Sequence, residues 1–400
     1  MSDLIFRLYS LAHLTAKKML DRKVLSANPK LLSFNSQQLG VEENVHEVWL
    51  DFVRNSKIYS SDSFGGFHYT GYILEKGEWC LPSWIWTDAA LVRMYTALGD
   101  IQTAETLCSR LMDRQQDCGG WIVRNDYDSK GAIPMLAPND SSYIANNAFL
   151  SMYTATHEKK YLDVAMRCAD WIIETAREDG MVYTGYNVRD QKWDKGHIIV
   201  DVGFTAALFT NLAEITNNKA YKNFLTKFVH RYIELFFDPN FNGFATSINK
   251  SDQRQGGFFG RGQAWALEGL IPAYHVLKDQ KIKNTIEKTI NNLIKRQNSD
   301  GSWSYNLSRR LMGNDCKGVP VIAKSIGDWY SITHDDRLLR VVEKAYDWCR
   351  NHTCSDGEAR GGIFSFCTEG AVVKDLYSSC AFVYASAYAI ELDKFLKSIK

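Results

Sequence analysis

A short glycine turn followed by aromatic or β-branched residues recurs six times along the chain, as SFGGFHYTGY, DCGGWIVRND, EDGMVYTGYN, NFNGFATSIN, SDGSWSYNLS and ARGGIFSFCT. With Gly66, Gly120, Gly180, Gly243, Gly301 and Gly362 as markers, the intervals are 54, 60, 63, 58 and 61 residues. A near-fixed period of this length marks repeated copies of one supersecondary unit, none of which can bury its apolar face alone. Each interval holds two helical segments. The first is apolar nearly all round, as in WTDAALVRMYTALGD, YIANNAFLSMYTATH, DVGFTAALFTNLAEIT and GRGQAWALEGLIPAYHVL. The second is amphipathic, as in AETLCSRLMDRQQ and LDVAMRCADWIIETAR. A helix apolar on every side must lie inside, and its amphipathic partner must cover it. Six inner and six outer helices in a closed ring meet both demands. The pattern therefore predicts an all-α (α/α)6 toroid, with glycine-containing turns or hairpins at the rim and the whole chain, 1–400, in one domain. The last unit ends without a full outer helix, and Leu4–Leu20 is expected to fill that place and close the ring. An open solenoid would need polar caps at its ends, and the sequence offers none.

Charge excludes one large class of function. The 47 Lys and Arg balance 46 Asp and Glu, so the chain lacks the basic footprint of a nucleic-acid binder. No run of about 18 apolar residues occurs, and charge interrupts the opening MSDLIFRLYSLAHLTAKKMLDRK, so neither a membrane span nor a signal peptide is expected. The nine cysteines, odd in number and scattered through apolar runs, suit a reduced, cytoplasmic setting. Cys349 and Cys354, with His352 between them, have no second ligand pair at metal-binding spacing, so no metal site is expected.

In such a ring the inner helices run the same way, and their N-termini gather at one mouth with their unpaired N–H groups. Their first turns offer Trp84, Trp86 and Asp88; Asn146 and Asn147; Asp201; Arg261, Gln263 and Trp265; Lys324; and Ser378 and Ser379. Flat rings stack on the C–H faces of a sugar while carboxylates and amides fix its hydroxyls, and an arginine fork pairs both oxygens of a carboxylate. Each residue also has a plainer role. Asp88 and Asp201 could be helix caps, although Asp201 follows the apolar run HIIV where a cap would follow a polar turn. Arg261 could tie an outer helix to the rim, and Trp265 could be core.

RGQAWAL, Arg261 to Leu267, together with IIVDVGFTAALFTNLAEITNNKAY upstream, resembles glycoside hydrolase family 88 and its relative family 105, the unsaturated uronyl hydrolases. The resemblance implies removal of a 4,5-unsaturated uronic acid from the non-reducing end of lyase-generated oligosaccharides by hydration of a vinyl ether. It implies that Asp201 carries the proton, that Arg261 and Gln263 orient the substrate and that Trp265 stacks on it, with no metal or organic cofactor. Trp86 and Phe259 join the expected binding surface; Phe259 stands where the family commonly has tryptophan. Two departures stand out. The family's second acidic station, at the start of the second inner helix, reads YIANNAFL here, which puts Asn146 or Asn147 in place of an aspartate and leaves Asp88, or Asp140 of the preceding PND turn, to substitute. A histidine usual between the catalytic aspartate and RGQAW is missing from NGFATSINKSD.

Two further readings fit a ring with such a mouth. A sugar epimerase or lyase, or a non-catalytic protein, of surface-polysaccharide biosynthesis shares the architecture. An epimerase or lyase needs a base at a sugar carbon, for which Tyr143, His197, Tyr305 and Tyr377 are the candidates. The expected partner on every reading is an oligosaccharide or polysaccharide, with the oligomeric state left open.

Overall fold

Tight two-residue links are what make the helices fold back on one another as pairs. The computed structural model describes residues 40–41, 44–74, 76–80, 83–125, 134–308, 314–365 and 380–399. It begins with α1 (Val45–Asn55), the hairpin β1 (Gly71–Ile73) and β2 (Glu78–Cys80), and the first inner helix α2 (Ile85–Leu98). That helix stops at Gly99 in the left-handed region, and its outer partner α3 (Ile101–Asp113) starts two residues later. The second inner helix follows the short strand β3 (Met135–Leu136). It runs as α4 (Pro138–Ile144), a π-helical turn (Ala145–Leu150) and α5 (Ser151–Thr156), covered by α6 (Lys159–Thr175).

After β4 (Gly185–Asn187), β5 (Lys192–Asp194) and β6 (His197–Ile199), a 3-10 turn (Val200–Gly203) leads into the third inner helix α7 (Phe204–Thr216), covered by α8 (Lys219–Phe236). Strands β7 (Phe237–Asp238), β8 (Gly243–Phe244), β9 (Ser247–Asn249) and β10 (Arg254–Gln255) precede the fourth pair, α9 (Gly260–Leu277) and α10 (Gln280–Arg296). The fifth pair is α11 (Gly318–Thr333) and α12 (Asp336–Asn351); β11 (Cys380–Phe382) then enters the sixth inner helix, α13 (Val383–Ser398). The architecture is the (α/α)6 toroid. No helix among the described residues is long and apolar enough to cross a membrane.

Inner and outer helices differ at their N-termini in a way that matters for the site. Asp100, Asn218, Asp279 and Asp335 cap four outer helices by accepting N–H bonds from the first turn. None of the described inner helices has a side-chain cap; instead the leading N–H groups of Ile85, Gly260 and Val383 bond to the Val123, Tyr305 and Thr70 carbonyls, which ties the tips of these helices to the glycine turns of the rim.

The ring closes through the first and last units. Strand β1 lies between β2 and β11, with Gly71 opposite Phe382 and Ile73 opposite Cys380. Helix α1 packs on α13 as the sixth outer helix, where the His46 imidazole bonds to Asp393 at 2.8 Å. The place expected for Leu4–Leu20 is thus taken by Val45–Asn55, while Leu4–Leu20 lies outside the described residues.

The spacing of the third and fourth units is set by two glycines. A Cβ on Gly269 of α9 would stand 2.1 Å from the Gly203 carbonyl oxygen, and one on Gly203 would stand 3.1 Å from the Trp265 carbonyl. Gly269→Ala is therefore expected to push α9 away from the 3-10 turn, at a cost of about 1–3 kcal/mol as overpacking. A denaturant midpoint unchanged from the parent protein would show that this contact yields.

Candidate active site

The 3-10 turn before α7 holds Asp201 rigidly. Tyr232 on the covering helix donates its hydroxyl to the Val200 carbonyl at 2.7 Å, and Val200 itself is wholly buried. From the neighbouring unit, Asn139 Nδ2 donates to Asp201 Oδ2 at 2.8 Å. The other oxygens of this pair, Asp201 Oδ1 and Asn139 Oδ1, are buried and have no hydrogen-bond partner. Orphaned buried acceptors are rare in folded proteins and mark a place where a proton or a ligand donor belongs.

Beside them stands Asp140, the third residue of α4. Asp140, Asp201, Arg261, Lys317, Trp86, Trp265, Tyr143, Phe204 and Tyr384 line one cavity of about 140 Å³ at the mouth of the ring. Burial pushes the Asp140 carboxyl well above the usual carboxylate range, and the charge of Asp201 holds it there. Burial likewise pushes Asp201 up to about 6, against the pull of Asn139 and the nearby backbone amides of Asp201 and Val202. Two carboxyl groups that resist ionising together share protons, which suits acid and base work near neutral pH.

The cations come from the fourth and fifth units. Arg261, in the first turn of α9, has its guanidinium 4.7 Å from the centroid of the Phe259 ring and 5.4 Å from that of Trp265. Its Nε lies 2.9 Å from Asp315 Oδ2, an ion pair rather than an aligned hydrogen bond. Lys317 immediately precedes α11, and burial, reinforced by the Arg261 charge, lowers its ammonium to about 8. The aromatic wall is built from two units: Trp86 of α2 meets Tyr384 of α13 edge to face, with centroids 5.1 Å apart.

Of the residues singled out in the sequence, Asp201, Arg261, Trp265 and Trp86 meet in this cavity, and Phe259 lies under the guanidinium as the N-cap residue of α9. Four expectations need correction. Gln263 does not face the cavity: its amide accepts from Phe244 N–H at 2.7 Å and donates to the Phe244 and Phe259 carbonyls, which ties β8 to α9. Asn146 and Asn147 are not at the start of the second inner helix, because that helix begins at Pro138 and places them two turns deeper. Of the two substitutes the sequence offers for the second acid, Asp140 is the one in the first turn of this helix. Lys324 likewise lies two turns inside α11, and Lys317 takes its place at the tip. Ser378, Ser379 and Tyr377 lie outside the described residues.

Asp88 is the fourth correction. It is wholly buried away from the cavity, accepting from His68 N–H at 3.1 Å, from His68 Nδ1 at 2.8 Å and from Asn125 Nδ2 at 2.7 Å. It pins the glycine turn of the first unit to α2. Asp88→Ala would strand three buried donors, for an expected loss of about 3 kcal/mol with KM unchanged. A chemical-denaturation series and a KM measurement check this together; a raised KM at parental stability would return Asp88 to the binding surface.

The sequence model for Glycosyl Hydrolase Family 88 matches residues 81–392. No curated protein matches the chain. Among solved structures, the unsaturated glucuronyl hydrolase of Bacillus sp. GL1 superposes with a TM-score of 0.65 at 14% identity, over 89% of this chain and 96% of that one. An unsaturated glucuronyl hydrolase specific for heparin gives 0.69 at 15% identity, over 89% and 96%. A sugar epimerase from a ruminal bacterium gives 0.70 at 13%, over 88% and 97%. At these identities the structural likeness speaks for the fold, which hydrolases and epimerases share. The family match, which spans more than half of the chain and contains every residue lining the mouth cavity, carries the assignment: this protein belongs to glycosyl hydrolase family 88 and is a carbohydrate-active hydrolase.

Proposed function

We propose that the enzyme removes a 4,5-unsaturated uronic acid from the non-reducing end of an oligosaccharide by hydrating its vinyl ether. The observation that carries this reading is the meeting of two proton-holding carboxyl groups, Asp140 and Asp201, with Arg261 and Lys317 in one aromatic-walled cavity. A pyranose ring stacked on Trp86 and Trp265 brings its carboxylate to the Arg261 fork, with Lys317 as a second positive charge.

Asp201 in its neutral form gives its proton to C4 of the double bond, and positive charge develops at C5 and the ring oxygen. The Asp201 carboxylate then takes a proton from water as that water adds to C5. The hemiketal formed opens and releases the remaining sugar with its hydroxyl restored. Asp140, held neutral, donates a hydrogen bond beside the reacting centre. One residue can act first as acid and then as base, so the fixed spacing of two carboxylates in ordinary glycosidases is not required.

An epimerase would need a free base in the same place. Of the candidates, His197 sits exposed on β6, and Tyr305 packs on Phe259 without lining the cavity. Tyr143 lines it, but its hydroxyl is engaged with that of Tyr388 at 2.9 Å, and burial pushes the phenol well above its ordinary value.

Purified protein mixed with lyase-generated unsaturated disaccharides is expected to bleach the absorbance of the conjugated double bond. Because the acid must be protonated, kcat/KM is expected to fall as pH rises through about 6. Undiminished absorbance with unsaturated glucuronyl and galacturonyl substrates alike would defeat the proposal.

A further inference from the structure

A second chamber lies inside the ring below the mouth, and Tyr143 and Phe204 form the partition between them, lining both. Its residues repeat those of the mouth at an interval of seven: Arg93 follows Trp86, Glu268 follows Arg261, and Lys324 follows Lys317. Seven residues are two helical turns, so each lower residue shares a face with its upper counterpart, about 10 Å further along the helix. The chamber has a volume of about 300 Å³, and Ile332 on its lining is 40% exposed, which places that side at the surface.

Three irregularities, each costly to a buried helix, converge there. The second inner helix widens into its π-helical turn where Asn146 and Asn147 enter the chamber wall together. Such turns recur at functional sites. Pro272 interrupts α9 and cannot donate to the carbonyl of Glu268, which loses its usual partner at the chamber. Arg93 makes a two-point pair with Glu391, at 2.7 and 2.8 Å, and gives a third bond to Asn147 Oδ1 at 2.8 Å. Apolar packing could fill this space more cheaply than a buried ion pair. The mechanism at the mouth uses none of these groups.

The charges of the chamber cancel. Arg93 is matched by Glu391, Lys324 by Asp328 at 2.8 Å, and Glu268 accepts from the Tyr388 hydroxyl at 2.8 Å. Burial favours the neutral form of Glu268. An anion would have to displace Glu391 to reach Arg93. Asn211 Nδ2 donates to Asn146 Oδ1 at 2.6 Å and Arg93 occupies Asn147 Oδ1, so what the amides present is Nδ2 of Asn146 and Asn147 as donors and Oδ1 of Asn211 as acceptor, beside apolar surface from Phe204 and Ile271. Pairs of amides facing hydroxyls, with C–H surface alongside, are how proteins hold uncharged polyols.

We propose that this chamber is a second carbohydrate site, separate from the mouth, that takes a neutral pyranose unit. The reaction at the mouth requires a carboxylated sugar; this site excludes one. On the function proposed for the mouth, one end of the ring thus selects a charged sugar and the other an uncharged one.

Saturation-transfer NMR with methyl β-glucoside, methyl β-galactoside and methyl β-glucuronide tests it. The neutral glycosides are expected to bind the parent protein and the Arg261→Ala variant alike, with the glucuronide at least fivefold weaker once the mouth has lost the fork that reads its carboxylate. Asn146→Leu and Asn211→Leu are each expected to reduce the neutral signal at least fivefold. Neutral binding that survives both substitutions, equal binding of the glucuronide, or no binding of any probe would overturn the proposal. Should the leucine variants fail to fold, crystals of the parent protein soaked in a seleno-methyl glucoside decide the matter. Selenium signal between Asn146 and Lys324 supports the site; signal only at the mouth, or none, refutes it.

Discussion

Asp201→Asn is expected to lower kcat by a factor of about 10³ or more, since in the proposed mechanism this is the group that both gives and takes the proton. The same substitution is expected to make the protein more stable at pH 8. With its pKa raised by burial from the usual 3.8 to about 6, the folded protein binds this proton more tightly than the unfolded chain does. The favourable contribution is complete below the ordinary carboxylate range and is lost as pH rises through about 6. A shift of that size corresponds to about 3 kcal/mol. The variant's advantage in Tm should therefore be largest at pH 8, shrink as pH falls from about 6, and vanish only below the ordinary carboxylate value of 3.8, at about pH 3, where the parent carboxyl is neutral in both states. Single-turnover absorbance measurements and melting curves across this range report the two effects independently. An active Asp201→Asn enzyme would remove the residue from the chemistry, and a variant less stable than the parent at pH 8 would contradict its burial. Asp140→Asn is expected to cost less in rate, because an amide keeps the hydrogen bond that the neutral acid donates.

Arg261→Ala is the second substitution with a large expected effect. Loss of a charge-assisted contact to the substrate carboxylate is worth about 1.5–3 kcal/mol, or about 10- to 150-fold in kcat/KM. The same change leaves the buried carboxylate of Asp315 without its counter-ion, so stability falls as well. Arg261→Lys separates these consequences. It keeps a positive charge near Asp315 but loses the planar fork and its seat on the Phe259 ring. If Arg261 reads the carboxylate, the lysine variant retains most of the stability and still discriminates poorly between an unsaturated uronide and its methyl ester. Equal losses on ester and acid would show that Arg261 serves only the scaffold.

The ring itself was legible because six glycine turns keep nearly one period and because helices without a polar face have only one place to go. The stations at Asp201 and Arg261 followed from the same logic. The second and fifth stations did not, and for one physical reason. Proline is tolerated in the first turn of a helix, where its missing N–H is not needed, and so marks a start. Pro138 is the first residue of α4 and Pro320 the third of α11. Starting those helices at their first long apolar run instead shifted the tips to Asn146 and Lys324, which left Asp140 as one of two possible substitutes and hid Lys317. Gln263 and Asp88 illustrate a different limit. Both have the chemistry of a binding group, but backbone amides and a buried histidine engage them, and such partners arise only from tertiary packing. Val45–Asn55 went unrecognised as the sixth outer helix because amphipathic character alone does not say which segment packs on α13; that contact belongs to the tertiary structure.

The seam between the first and last units has a consequence for synthesis. His46 and Asp393 are 347 residues apart in sequence, and Arg93 and Glu391 are 298 apart. On a nascent chain these partners cannot meet until α13 has left the ribosome tunnel. Until then the inner face of α2 and the edge of β1 stay uncovered, the kind of surface that recruits chaperones or neighbouring polypeptides. Trp86 waits for Tyr384, so the aromatic wall of the cavity is completed only once α13 has emerged, and a chain truncated before this helix is expected to give an aggregation-prone fragment in place of a weakened enzyme.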